Sequence, residues 1–247
     1  MCGPSNMLKT LEKEAHVWAA STDMPYDSKL MHWYKSLLSD DERKKYNKLY
    51  FSHHRKAYLI SHSLLRTSLS RYKKIPPEEW NFSYDAFGRP SIKQPGEISG
   101  VQFSLTRTRG MSACLISSSS HVGIDLENLY NLKDPEIMFN HVLVADEIDS
   151  LKGLRGKSLR KRFLVYWTLK EAYVKAIGKG LLMPLTQFSF ILKSNGRACI
   201  RFNHKLTTES SPWQFAYYWL TREILLTVAL CNNDASDKII RRFDVIP

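Results

Sequence analysis

In the stretch HVGIDLENL, Val122, Ile124 and Leu126 alternate with Gly123, Asp125 and Glu127. A period of two predicts a strand, with the aliphatic residues on one face and both carboxylates on the other. Elsewhere the period lengthens. Leu59, Ile60, Leu64, Leu65 and Leu69 recur at three- and four-residue steps, which predicts a helix over 52–72. Phe163, Tyr166, Trp167, Tyr173, Val174 and Ile177 do the same over 158–177, where Gly178 and Gly180 stop the helix. A shorter helix begins at Ser39, an N-cap residue. Asp40, Asp41 and Glu42 fill its first turn, and Arg43, Lys44 and Lys45 follow. The prolines of KKIPPEEW end the 52–72 helix.

The remaining strands are bounded by turn residues. YDAFGRPSI reads as a turn between strands, and FSFILKSNGRACIRF as a hairpin turning at Asn195-Gly196. WQFAYYWLTREILLTVALC is aromatic and β-branched, a second strand–turn–strand pair. GVQFSLTRTRGMSACLISSSSHVGIDLENL fits three short strands, or two around a helical turn at 107–111. Helices and strands without regular alternation predict an α+β fold rather than a doubly wound parallel sheet. The serine run Ser117–Ser120 is the best candidate boundary, dividing the chain into 1–118 and 119–247.

Composition changes this picture in one respect. Hydrophobic and charged fractions of 43% and 24% are ordinary for a globular chain. A net charge of +12 is not, and it favours an anionic partner: nucleic acid, a phosphorylated ligand, an acidic protein surface or anionic lipid. No segment reaches the length of apolar sequence that spans a membrane, and no signal peptide is visible, so a cytoplasmic protein is expected. Cys2, Cys114, Cys199 and Cys231 are scattered without a C-x-x-C pair, as expected of free thiols.

Candidate chemistry starts with Asp125 and Glu127. On one strand face their Cα atoms stand roughly 6.6 Å apart, close enough for two carboxylates to converge on one cation. Taken alone, the pair reads rather as the wet acidic face of a half-exposed edge strand. The 158–177 helix adds Glu171 and Lys175, stacked with Trp167 along one stripe at four-residue spacing. That pair alone reads as a surface i,i+4 ion pair. Together, Asp125, Glu127 and Glu171 are an oxygen-only set suited to Mg²⁺, and Lys175 is placed to hold a phosphate.

With these residues stated, VGIDLE at 122–127 and FLVYWTLKEAYVKAIGKGL at 163–181 resemble the two signature motifs of the 4′-phosphopantetheinyl transferases. Length and layout resemble the surfactin-synthetase-activating (Sfp-like) branch. The resemblance implies two similar α/β halves in pseudo-twofold arrangement with the active site in the cleft between them. It implies transfer of the 4′-phosphopantetheine arm of coenzyme A to a carrier-protein serine, with release of 3′,5′-ADP. Asp125, Glu127 and Glu171 would hold Mg²⁺ against the pyrophosphate. Glu171 would be the base for the serine proton, and Lys175 would stabilise the pyrophosphate or the leaving group.

Lys170 also matches the motif and is carried over as a CoA-binding residue. Arg89, in a turn resembling the family's Gly-(Lys/Arg)-Pro, and Arg43 and Lys45 would bind the nucleotide phosphates; Arg55 and Lys56 lie near that region without aligning cleanly. Where the family has Ser-His-(Ser/Thr), this chain has Thr106, Arg107 and Thr108. Arg107 is therefore expected to be a phosphate ligand that cannot titrate.

The resemblance also implies an acidic helical acyl or peptidyl carrier protein as partner, with 178–185 as a contact loop, and a monomer. No nucleic-acid or membrane partner is expected. A D…E-x-K nuclease fits poorly, since Glu171 and Lys175 are four apart on a helix rather than two apart on a strand. No nucleic-acid-binding signature is present. Intact motif carboxylates argue against a relative that binds CoA without transferring.

Overall fold

The computed structural model describes residues 4–85, 89–94, 98, 100–132, 134–178, 180, 183–202, 212–232, 234 and 236–247. The chain is mixed α+β and divides into two compact units: Met1–Ser118 with Lys238–Pro247, and Ser119–Asp237. The break lies inside the serine run. The sequence expectation assigned everything after 118 to one half, and this needs correction, because the last ten residues belong to the first unit. Strand β11 (Ile239–Asp244) pairs in parallel with β1 (Glu14–Ser21), and the Tyr34 hydroxyl donates to the Pro247 carbonyl at 2.6 Å.

In the first unit, β1 pairs on its other edge with β5 (Met111–Ser117), and β5 with β4 (Gln102–Thr108), both antiparallel. β2 (Asn81–Tyr84) and β3 (Pro90–Gln94) form a separate hairpin whose loop residues 86–88 lie outside the described residues. Among the described residues this unit also carries the α-helices α1 (Pro4–Thr10), α2 (Ser28–Ser36), α3 (Asp40–Lys48) and α4 (Ser52–Leu69). The apolar stripe of α4, with Leu59, Leu64 and Leu65, packs on the sheet around Trp18, Phe103 and Ile116. Ser39 caps α3 in a capping box with Glu42.

The second unit carries an antiparallel sheet in the order β6-β10-β9-β8-β7. Its strands are β6 (His121–Asn128), β7 (Phe188–Leu192), β8 (Arg197–Phe202), β9 (Trp213–Trp219) and β10 (Ile224–Cys231). Two short helices, α5 (Phe139–Val142) and α6 (Ala145–Asp149), precede α7 (Gly156–Ile177), which lies across β6 and β10 and ends at Gly178 in the left-handed region, φ 70°. Phe163, Leu169, Ala172 and Val174 of α7 meet Phe188, Phe215 and Leu225 in the core. The stretch from 101 to 130 therefore folds as three strands, with a turn at Arg109-Gly110 in place of a helical one. The β7–β8 turn has φ 63° at Asn195 and 72° at Gly196, conformations these two residues tolerate best.

Candidate active site

Gly123 sets the geometry. A Cβ at this position would stand 1.9 Å from the Ala172 carbonyl oxygen and 2.8 Å from the Ala176 nitrogen, so strand β6 touches the backbone of α7 here. Strand alternation then directs Asp125 and Glu127 to the same, helix-facing side. Glu171 and Lys175, which precede Ala172 and Ala176, come from the helix to meet them. The Lys175 ammonium donates to Asp125 Oδ1 at 2.6 Å, and Asp125 is only 5% exposed. Val122, Ile124 and Leu126, on the opposite face, are buried.

The electrostatics register three acids held close together. Burial pushes the Glu171 carboxyl up to about 6, with the charges of Asp125 and Glu127 adding to the rise and Lys175 opposing it. Glu127 is raised by burial and by Asp125. Glu171 Oε1 is buried and has no hydrogen-bond partner among the described residues. Glu127 Oε2 accepts from the Asn128 N–H and Asn131 Nδ2, both at 3.2 Å.

Hard oxygen donors, an unsatisfied buried carboxylate oxygen and mutual repulsion are what a divalent cation such as Mg²⁺ relieves, so the residues fit one. They do not grip it as they stand. Among the described residues no three acidic, histidine or cysteine side chains are arranged as a metal site. The Lys175 ammonium sits on Asp125, and Glu127 is turned to its asparagines.

Lys170 corrects the sequence expectation. It is fully buried, and its ammonium pairs with Glu147 Oε2 at 2.8 Å while donating to the carbonyls of Leu185 (2.8 Å) and Phe188 (2.9 Å). All three of its donors are spent inside the protein, so it has none to offer a ligand. Its neighbour Glu171 lies about 100° around the helix, which separates a core position from a site position.

The nucleotide-binding residues expected in the first unit are only partly brought together. Lys45 lies over the Tyr84 ring, 4.3 Å from its centroid, and Arg107 over Tyr58 at 5.4 Å. Tyr84 and Tyr58 connect through Glu42 and His62, so Lys45 and Arg107 share one cluster. Thr106 is buried on β4 whereas Arg107 is exposed, and adjacent strand residues face opposite ways. Thr106, carried over with Arg107 as a CoA-binding residue, therefore does not share the strand face of Arg107. Arg43 donates to the Leu38 carbonyl at 3.3 Å, and Arg89 closes its turn with Asp85 through its backbone N–H.

Sequence reasoning missed Glu42, His62, Arg66 and Tyr84. The spacing of His62 and Arg66, one turn apart beside Leu59, Ile60, Leu64 and Leu65, was the available signal.

The 4′-phosphopantetheinyl transferase superfamily model matches residues 121–229, the span that carries β6 and α7. The 4′-phosphopantetheinyl transferase HetI of a Nostoc species is 32% identical over 174 residues, 70% of this chain and 73% of that protein. The 4′-phosphopantetheinyl transferase Sfp of Bacillus subtilis is 23% identical over 225 residues, 90% of this chain and 95% of Sfp. Among solved structures, a holo-(acyl-carrier-protein) synthase from Bacillus anthracis in complex with CoA (3′,5′-ADP) covers 47% of this chain and 98% of its own. At 21% identity and a TM-score of 0.38 it adds nothing to the argument.

This chain belongs to the 4′-phosphopantetheinyl transferase superfamily. It is a transferase, laid out along nearly the whole length of Sfp.

Proposed function

We propose that the chain takes the 4′-phosphopantetheine arm from coenzyme A and places it on a serine hydroxyl of an apo carrier protein. Asp125, Glu127 and Glu171 would hold Mg²⁺ in this reading, and the bound ion would supply positive charge for the pyrophosphate. The observation that carries the proposal is the meeting of β6 and α7 at Gly123, which brings Glu171 and Lys175 to Asp125. Glu171, whose buried Oε1 has no hydrogen-bond partner among the described residues, accepts the serine proton in this reading. Lys175, poised on Asp125, supplies positive charge for the departing phosphate. The Lys45–Arg107 cluster takes the nucleotide phosphates. Arg89 and Arg43 are assigned the same role by family resemblance alone.

Charge on α7 supports an acidic, helical carrier as the second substrate. Arg155, Lys157, Arg160, Lys161 and Arg162 follow one another without an intervening carboxylate, and none forms a salt bridge among the described residues. Lys161 lies over the Trp219 ring at 4.6 Å. Lys157, Arg160 and Lys161 fall on the stripe that continues through Trp167 to Glu171, so a bound acidic surface would be aligned with the base. The proposed contact loop 178–185 lies partly outside the described residues. A cytoplasmic monomer that requires neither membrane nor nucleic acid completes the reading.

The test is a mass measurement on an apo carrier protein incubated with CoA, Mg²⁺ and this protein. Addition of the phosphopantetheine arm by wild type and not by Asp125→Ala is the expected result. CoA binding without addition to any of several carriers would overturn it.

A further inference from the structure

Glu42 is 1% exposed, and its carboxylate accepts four hydrogen bonds. Oε2 takes the Ser39 N–H at 2.9 Å and Arg66 Nη2 at 2.6 Å; Oε1 takes His62 Nδ1 at 3.0 Å and the Tyr84 hydroxyl at 2.8 Å. That fills the acceptor capacity of an ionised carboxylate. His62 and Arg66 overcome the upward pull of burial and hold Glu42 well below the usual carboxylate range. The carboxylate is therefore a fixed hub.

Two aromatic rings extend from this hub. Tyr84 is bound to it directly. Tyr58 is bound through His62, whose ring stacks on it at 4.1 Å. Each ring carries one cation, Lys45 on Tyr84 and Arg107 on Tyr58.

Neither cation makes a hydrogen bond or ion pair among the described residues. The contrast with Lys170 and Lys175, each seated on a carboxylate, is a chemical one. An aromatic face attracts a cation without cancelling its charge or consuming its N–H donors. Lys45 and Arg107 are thus held in place and still available. The Tyr58 hydroxyl, buried and without a hydrogen-bond partner among the described residues, is a further donor the protein leaves unsatisfied. Two available cations suit a phosphate monoester, with its two charges and three terminal oxygens, better than a diester.

We propose that Tyr84, locked by Glu42, is a positioning residue that fixes Lys45 for the terminal phosphate monoester of the nucleotide substrate, so that the enzyme distinguishes CoA from 3′-dephospho-CoA. The assignment rests on the reading of CoA as donor. Tyr84 touches no reacting atom; it acts through Lys45.

The experiment compares CoA and 3′-dephospho-CoA as donors to one apo carrier, for wild type and for Tyr84→Leu, Tyr84→Phe and Lys45→Ala. Tyr84→Leu removes the ring and should raise KM for CoA about fivefold or more, with kcat unchanged. It should leave KM for 3′-dephospho-CoA where it is. Tyr84→Phe keeps the ring but loses the bond to Glu42, and should fall between wild type and Tyr84→Leu. Tyr84→Leu combined with Lys45→Ala should be no worse than Lys45→Ala alone.

Equal KM increases for both donors, a fall in kcat alone, or no change for either would overturn the proposal. Were wild type to transfer nothing, the donor reading would fall first. Calorimetric Kd values of the same variants for the two nucleotides would then decide the role of Tyr84 separately, by the same pattern.

Discussion

Gly123 and the Ala172 carbonyl are in direct backbone contact, with no room between them for a Cβ. Strand and helix meet there because one side chain is missing, and Asp125 reaches Lys175 as a consequence. Gly123→Ala forces β6 away from α7. The expected cost is about 3 kcal/mol of stability, with most activity lost even in the fraction that stays folded. Urea unfolding beside the transfer assay checks both, and a variant as stable and active as wild type would contradict the contact.

Glu171 is held at an energetic cost. Its carboxyl, raised from 4.5 to about 6, favours the protonated form in the folded state. The stability this gives is full below pH 4.5 and lost as pH rises through 6. Glu171→Gln should therefore stabilise the metal-free protein by about 2 kcal/mol at pH 8 and by nothing at pH 4.5, while abolishing transfer. Thermal melts at the two pH values measure the difference. Adding Mg²⁺ should raise the melting temperature of wild type more than that of the variant.

Arg107 stands where the family resemblance implies a histidine. Arg107→Ala should raise KM for CoA about tenfold, and Arg107→His should restore part of that loss only at acid pH, where imidazole is charged. An unchanged KM in Arg107→Ala would remove the residue from the site.

Glu42 makes an opposite prediction for acid. Its folded-state pKa is depressed, so its contribution to stability is present above about pH 4.5 and disappears as pH falls toward the folded value. Wild type should lose stability steeply below pH 5. Glu42→Gln should be weaker at pH 7 by about 3 kcal/mol and flatter in acid. Parallel urea midpoints for the two proteins between pH 3 and 7 would exclude this.

Reversing the charge on α7 tests the carrier surface. Lys157→Glu, Arg160→Glu and Lys161→Glu together should raise KM for the carrier at least tenfold, leave KM for CoA unaltered, and reduce the salt dependence of kcat/KM. Equal effects on both substrates would point to a disturbed helix.

The residues on β6 and α7 were readable because their periods are strong: Asp125 and Glu127 share a strand face, and Glu171 and Lys175 a helical stripe. Lys170 was misread because a motif states identity without direction, and only the packed helix shows which side faces the core. β1 went unpredicted for a related reason. In EAHVWAAS the six central residues are all buried, so no alternation marks the strand. The Glu42 cluster joins α3, α4, the β2–β3 hairpin and, through Tyr58, β4. No local period reports contacts across such sequence distances.

The pairing of β11 with β1 also orders the birth of the molecule. Residues 119–237 form a contiguous unit and can collapse as soon as they leave the ribosome. The first unit, though translated earlier, lacks the parallel edge of its sheet until β11 emerges behind the whole of the second. Until then β1 presents an unpaired edge, available to any extended segment that meets it. A nascent chain stalled before residue 239 thus has β6 and α7 assembled, while the first unit remains open to mispairing.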